Sequence, residues 1–148
     1  NKSDRYMHRT FNLTAKTINN CTALNTFNLK SSHNFDTATR EKIRRMLFDY
    51  GISTSTHEHE LYVQGNGENV EFIRVLLPKG SVLKSQAGVP IEVDDSHPDY
   101  TSIQFTVHTK VLENSDVTFS YESTPKNCAI QPAFLAQPGL QNYNVNIR

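Results

Sequence analysis

Alternation with a period of two runs through most of this 148-residue chain and narrows what it can fold into. In "MHRTFNLTA", Met7, Arg9, Phe11, Leu13 and Ala15 fall on one side of an extended segment, and His8, Thr10, Asn12 and Thr14 on the other. Successive side chains of a strand point to opposite faces, so this pattern describes a strand with one buried face. Strand-like runs recur at 23–30, 60–64, 69–77, 81–85, 90–93, 101–112, 116–122, 133–136 and 141–147. Turn chemistry separates them: Gly65-Asn66-Gly67, Lys79-Gly80, Asp94-Asp95-Ser96, Glu113-Asn114-Ser115 and Pro138-Gly139. The expectation is an all-β fold, an antiparallel β-sandwich of about 8–10 strands. At this length residues 1–148 fit a single domain that buries roughly two thirds of its unfolded surface.

One stretch departs from the alternation. Ile43, Met46, Leu47 and Tyr50 recur at helical spacing, Asp36 or Thr37 stands where an N-cap belongs, and Gly51 where a C′ glycine belongs. This predicts one inserted amphipathic α-helix over about 37–50. Arg40, Lys42, Arg44 and Arg45 lie largely off its apolar stripe, and Glu41 can pair with Arg45 at i,i+4. They help give residues 1–50 nine Lys/Arg against four Asp/Glu, a surplus of five that residues 51–148 reverse. The quartet is the candidate face for an anionic partner, set against the plainer reading of a solvated helix surface.

The most apolar run, "NVEFIRVLL", alternates poorly because Val70, Phe72 and Leu76 are apolar as well as Ile73, Val75 and Leu77. A strand apolar on both faces predicts a central position, covered on one side by a sheet and on the other by the helix. Pro78 has no N–H to continue a ladder, so Pro78-Lys79-Gly80-Ser81 reads as a corner at the end of that strand.

Side chains suited to chemistry are few and scattered. In "THEHELY", read as polar residues entering an edge strand, His57 and His59 would share a strand face and could chelate one divalent ion. Their spacing is not the i,i+4 of a metalloprotease helix, and a third ligand would have to come from His33 or His97. "EVDDSHPDY" offers Asp94 and Asp95 as calcium candidates, in no EF-hand spacing; Asp and Ser also favour such turns for conformational reasons. No Gly-x-Ser-x-Gly elbow or phosphate-cradling loop occurs, so no catalytic residue, cofactor or nucleic-acid site is assigned. Cys21 and Cys128 allow one intramolecular pairing: either two buried thiols or a disulfide. With no Trp, Tyr62, Tyr100 and Tyr143 are the aromatic side chains placed to meet a ligand.

Three segments carry a resemblance. "NKSDRYMHRTFNLTAKT", "FIRVLLPKGSVLKS" and "DVTFSYES…FLAQPGLQNYNVNI" occur in that order. Together they resemble the C-terminal region of a large family of bacterial membrane-anchored proteins catalogued only as a domain of unknown function. The shared features are an opening Asn-Lys-Ser-Asp (1–4), an Arg-Val-x-x-Pro-Lys-Gly corner (74–80), a Val-Thr-Phe-x-Tyr strand (117–121) and a Gln-Pro-Gly turn (137–139). The resemblance implies a fragment of a longer chain with an N-terminal transmembrane anchor, displayed outside the cytoplasm, where a disulfide is permitted. It brings no catalytic residues. The implied role is non-catalytic, binding or scaffolding at the cell surface with an envelope polymer or another protein domain as partner. The alternative is an enzyme or accessory subunit acting on cell-wall or exopolysaccharide material, which would need a pair of carboxylates in a cleft.

Overall fold

The computed structural model describes residues 3–19, 21–124, 128 and 142–148. After a 3-10 turn at Ser3–Tyr6, strands β1 (Met7–Thr17), β2 (Ala23–His33), β4 (Val82–Ala87), β7 (Asn114–Ser123) and β8 (Tyr143–Ile147) form one sheet in the order β4-β7-β2-β1-β8. Strands β3 (Asn69–Pro78), β5 (Glu92–Asp94) and β6 (Tyr100–Thr109) form the second, in the order β3-β6-β5. The two sheets pack together as the β-sandwich that the alternation predicts. Pairings are antiparallel, with the exception of β8, which runs parallel to β1. Periodicity carries no sign of direction, so that parallel edge was not legible. The candidate strand at 133–136 and the Pro138-Gly139 turn lie outside the described residues.

The inward phase of each strand builds the core. Phe27, Leu29, Val117, Phe119 and Tyr121 from the larger sheet meet Leu77, Ile103, Phe105 and Val107 from the smaller. Phe27 stacks on Phe119 with centroids 4.8 Å apart, and Phe105 meets both edge-on at 6.3 and 6.1 Å. Each such side chain contributes roughly 1.5–3 kcal/mol through burial, so this cluster is the main source of cohesion. Gly88, just past β4, adopts φ +100°, and a Cβ there would overlap the Asp116 carbonyl of β7. Only glycine lets the chain approach so closely.

The outer face of the larger sheet carries a side-chain relay. Asn146 Nδ2 donates to Asn12 Oδ1 (2.8 Å), Asn12 Nδ2 to Asn28 Oδ1 (3.1 Å), and Asn28 Nδ2 to Asp116 Oδ1 (2.6 Å) and Thr118 Oγ1 (2.8 Å). It crosses β8, β1, β2 and β7 in turn.

Among the described residues two α-helices, not one, interrupt the strands. Helix α1 (Thr37–Asp49) starts where Asp36 Oδ1 accepts the Thr39 N–H at 2.8 Å and stops at Gly51, φ +70°. The second, α2 (His57–Val63), replaces the expected strand at 60–64. His57 and Leu61, four residues apart, are both buried on one helical face, while Glu58 and Glu60 sit in the first turn, where the helix dipole favours negative charge. Leu61 joins Phe35, Ile43 and Leu47 in a second small core, with Tyr6 edge-on to Phe35 at 4.8 Å. Among the described residues no helix is long and apolar enough to cross a membrane.

Strand β3 is not central. It lies at the end of the three-stranded sheet, with Ile73, Val75 and Leu77 turned toward the core. Its other face is open: Val70, Phe72 and Leu76 are 54%, 62% and 58% exposed. The helices pack elsewhere, so the second apolar face has no cover from them. Beyond it, the Pro78 carbonyl accepts from the Ser81 N–H (3.1 Å) and hydroxyl (2.6 Å), which makes the expected corner.

Candidate functional site

Polar side chains gather inside the sandwich at the end nearest the helices. Arg9 belongs by alternation with Met7, Phe11 and Leu13, and this phase drives its guanidinium into the interior, where it is 2% exposed. Its Nε donates to Glu71 Oε1 at 2.5 Å, and Nη2 donates to Asp4 Oδ1 while lying in ion-pair contact with Glu71 Oε1 at 2.5 Å. Arg9 Nη1, Glu71 Oε2, Asn69 Oδ1 and Ser31 Oγ are buried there with no hydrogen-bond partner among the described residues. Close by, His33 Nδ1 accepts the Phe35 N–H at 3.3 Å, which leaves Nε2 to donate to the Gly67 carbonyl at 3.0 Å. Burial holds the His33 pKa below its ordinary value, so the ring sits neutral between the Gly65–Gly67 turn and the approach to α1. The sequence signal that points to the Arg9 cluster is a charged residue standing in the buried phase of a strand.

His57 and His59 are not brought together as a chelate. On a helix, residues two apart point to different sides. His57 is buried with Nε2 3.1 Å from the Ile52 carbonyl, and His59 is exposed. His97, the other candidate third ligand besides His33, stacks on Tyr100 with centroids 3.8 Å apart. Among the described residues no group of three or more His, Cys, Asp or Glu side chains converges as a metal site.

Asp94 and Asp95 are engaged at the opposite end. Asp94 Oδ1 accepts the Ser96 N–H at 2.9 Å, and hydrogen bonds from Ser96 hold its carboxyl below the usual range. Asp95 accepts the Thr101 hydroxyl at 2.5 Å and pairs with Lys79 at 2.9 Å; these partners, Thr101 first, lower its pKa as well. Thr101 Oγ1 in turn accepts the Gly80 N–H at 3.0 Å, so Asp95 fastens the Pro78–Ser81 corner to β6.

The basic quartet of α1 is divided. Arg40 and Arg44 both reach Glu58 of α2, the former at 2.7 Å, and Arg44 also pairs with Glu41 at 3.2 Å, an i,i+3 contact in place of the expected Glu41–Arg45 pair. The hydrogen bond from Arg44, then that from Arg40, holds Glu58 below the ordinary carboxylate range. Lys42 and Arg45 have no ion pair among the described residues. With Ala38, Glu41, Met46, Asp49 and Tyr50 they line a shallow concavity on the outer side of α1.

Cys21 and Cys128 are joined by a disulfide, their Cα atoms 4.4 Å apart. The three candidate tyrosines do not share a surface: Tyr62 lies on α2, Tyr143 on β8, and Tyr100, half-buried, on β6. Compared with models of known protein families, with curated proteins and with solved structures, the chain matches none.

Proposed function

We propose that the chain is a non-catalytic binding module, displayed outside the cytoplasm as part of a membrane-anchored bacterial envelope protein, and that it holds an anionic envelope polymer on the outer side of α1. The observation that carries this reading is the α1 concavity, where Lys42 and Arg45 flank Met46, 41% exposed, and Tyr50, 78% exposed. Cations beside apolar surface suit a polymer of phosphodiester-linked polyols, with charges for the phosphates and an aromatic face for the carbon backbone. Glu41 and Asp49 in the same concavity keep the attraction moderate. The Cys21–Cys128 bridge fits an oxidising compartment. The side chains that most resembled chemistry hold structure instead: His57 the loop before α2, Asp95 the corner, Arg40 and Arg44 the helix pair.

The test is titration of the protein with poly(glycerol phosphate) at rising salt. Expected is binding that weakens steeply between ~50 and ~200 mM salt as charges are screened, and that is lost on Lys42→Ala/Arg45→Ala. Binding unchanged in that double variant, or absent at low salt, would remove the polymer from this face.

A further inference from the structure

We infer that the open side of β3 is an interface for a second copy of this chain, formed by antiparallel pairing of the two β3 strands about Ile73. This uses a different surface from the α1 concavity and does not depend on it.

Three observations lead there. Strand β3 ends its sheet, and no described strand pairs with its outer side. Edge strands are ordinarily blunted by lysines, prolines or bulges. From Asn69 to Leu77, β3 has none of these: its pairing with β6 runs in unbroken register and Pro78 comes only at the end; its one inward charge, Glu71, which could also blunt an edge, is neutralised by Arg9. The outward phase then presents Val70, Phe72 and Leu76, all more than half exposed, around the single charge of Arg74.

The order of those side chains is self-complementary. In a two-fold antiparallel register centred on Ile73, residues whose numbers sum to 146 stand opposite. Val70 then meets the partner copy's Leu76, and Phe72 meets the partner copy's Arg74. The guanidinium lies over an aromatic ring, the favourable geometry for a cation and a π face, and the same two contacts repeat across the axis. Shifting the centre to Arg74 would oppose like charges. Shifting it to Phe72 would set Val70 against Arg74. The sequence therefore favours one register among the near ones. Joining the edges makes a continuous six-stranded sheet from the two three-stranded ones. Three half-exposed apolar side chains and a strand edge per copy bury less than ~1,200 Å² in total, the small end of specific interfaces. The association is accordingly reversible, with a dissociation constant on the order of micromolar.

Sedimentation velocity from about 1 to 500 µM, with circular dichroism to confirm folding of each variant, tests this. The expected result is a monomer–dimer equilibrium in the unaltered chain. Phe72→Lys sets two cations opposite each other and should weaken the dimer at least tenfold, whereas Phe72→Glu creates an ion pair with the partner copy's Arg74 and should retain it. The double variant Phe72→Lys/Arg74→Glu should restore what Phe72→Lys loses. A monomer at every concentration overturns the interface. A dimer weakened equally by Lys and Glu at position 72, with no rescue in the double variant, overturns the register and points to a different apolar contact.

Discussion

At the end of the sandwich where Thr17, Ala23 and Ser123 are neighbours, the chain is closed by the Cys21–Cys128 bridge; at the opposite end, where Met7 pairs with His33, it is closed by Arg9, Asp4, Glu71 and the His33 ring. The bridge acts mainly on the unfolded chain, by restricting it, and ignores acid. The polar end acts on the folded chain alone, since its charges and its neutral imidazole have these partners only when the sheets are stacked. The two ends therefore answer to different variables, redox potential and pH, though they share one apolar core.

Breaking the covalent end should have the largest effect. Removing a bridge between residues 107 apart, by reductant or as Cys21→Ser/Cys128→Ser, should cost ~4–5 kcal/mol in urea unfolding if the chain-entropy account holds. Identical midpoints with and without reductant would show that this end needs no bridge. Nearly as large is the ionic end. Arg9→Met strands the Glu71 carboxylate against the interior, while half-exposed Asp4 can turn to solvent, and should cost ~3–5 kcal/mol; Arg9→Met/Glu71→Leu should recover most of it, because a well-packed apolar pair replaces buried charges at little loss. A double variant no better than the single one would mean that the guanidinium contributes by packing and not by pairing.

Acid sharpens the contrast. The folded-state pKa of His33 lies below its unfolded value near 6.5. Between the two, the unfolded chain binds the proton and the folded chain does not, so stability is full above ~6.5 and declines as pH falls toward the folded pKa. Replacing His33 with Gln should flatten the decline that sets in below pH ~6.5 while the response to reductant stays as before. The smallest expected effects separate two residues that look alike in sequence. His57→Ala should cost ~1–3 kcal/mol through loss of a buried polar contact, and His59→Ala should stay within ~0.5 kcal/mol. Equal effects from both would contradict the helical placement of α2.

How far the sequence could be read depended on whether one period explained a segment. The strands of the larger sheet were legible because Met7–Thr17 and Ala23–His33 alternate cleanly, and α1 because Asp36, Ile43, Leu47 and Gly51 agree on its ends and its face. Helix α2 was hidden by His-Glu-His-Glu, an alternation of polar residues that no buried face enforces. The i,i+4 pair His57 and Leu61 was the better guide. Strand β3 was misplaced because a strand apolar on both faces has the same composition whether its second face is covered by its own chain or left open. The bridge could not be read at all: pairing depends on a Cα separation of 4.4 Å that no local pattern encodes. Of the candidate basic face, the charges were legible and the pairing of Arg40 and Arg44 with Glu58 was not, since that carboxylate arrives from another helix.

The bridge also bears on the order in which the molecule can assemble. Asn146 joins Asn12 across 134 positions of chain, so β8 must find β1 over nearly the full length of the polypeptide. Once Cys21 and Cys128 are joined, the shortest covalent path between those two asparagines contracts roughly five-fold, which lowers the entropy of closing that loop by about 1.4 kcal/mol. A search across the whole chain becomes a local one. Oxidation ahead of strand docking should therefore speed the final pairing about tenfold, and reduced chains should wait longest at the step that seats β8.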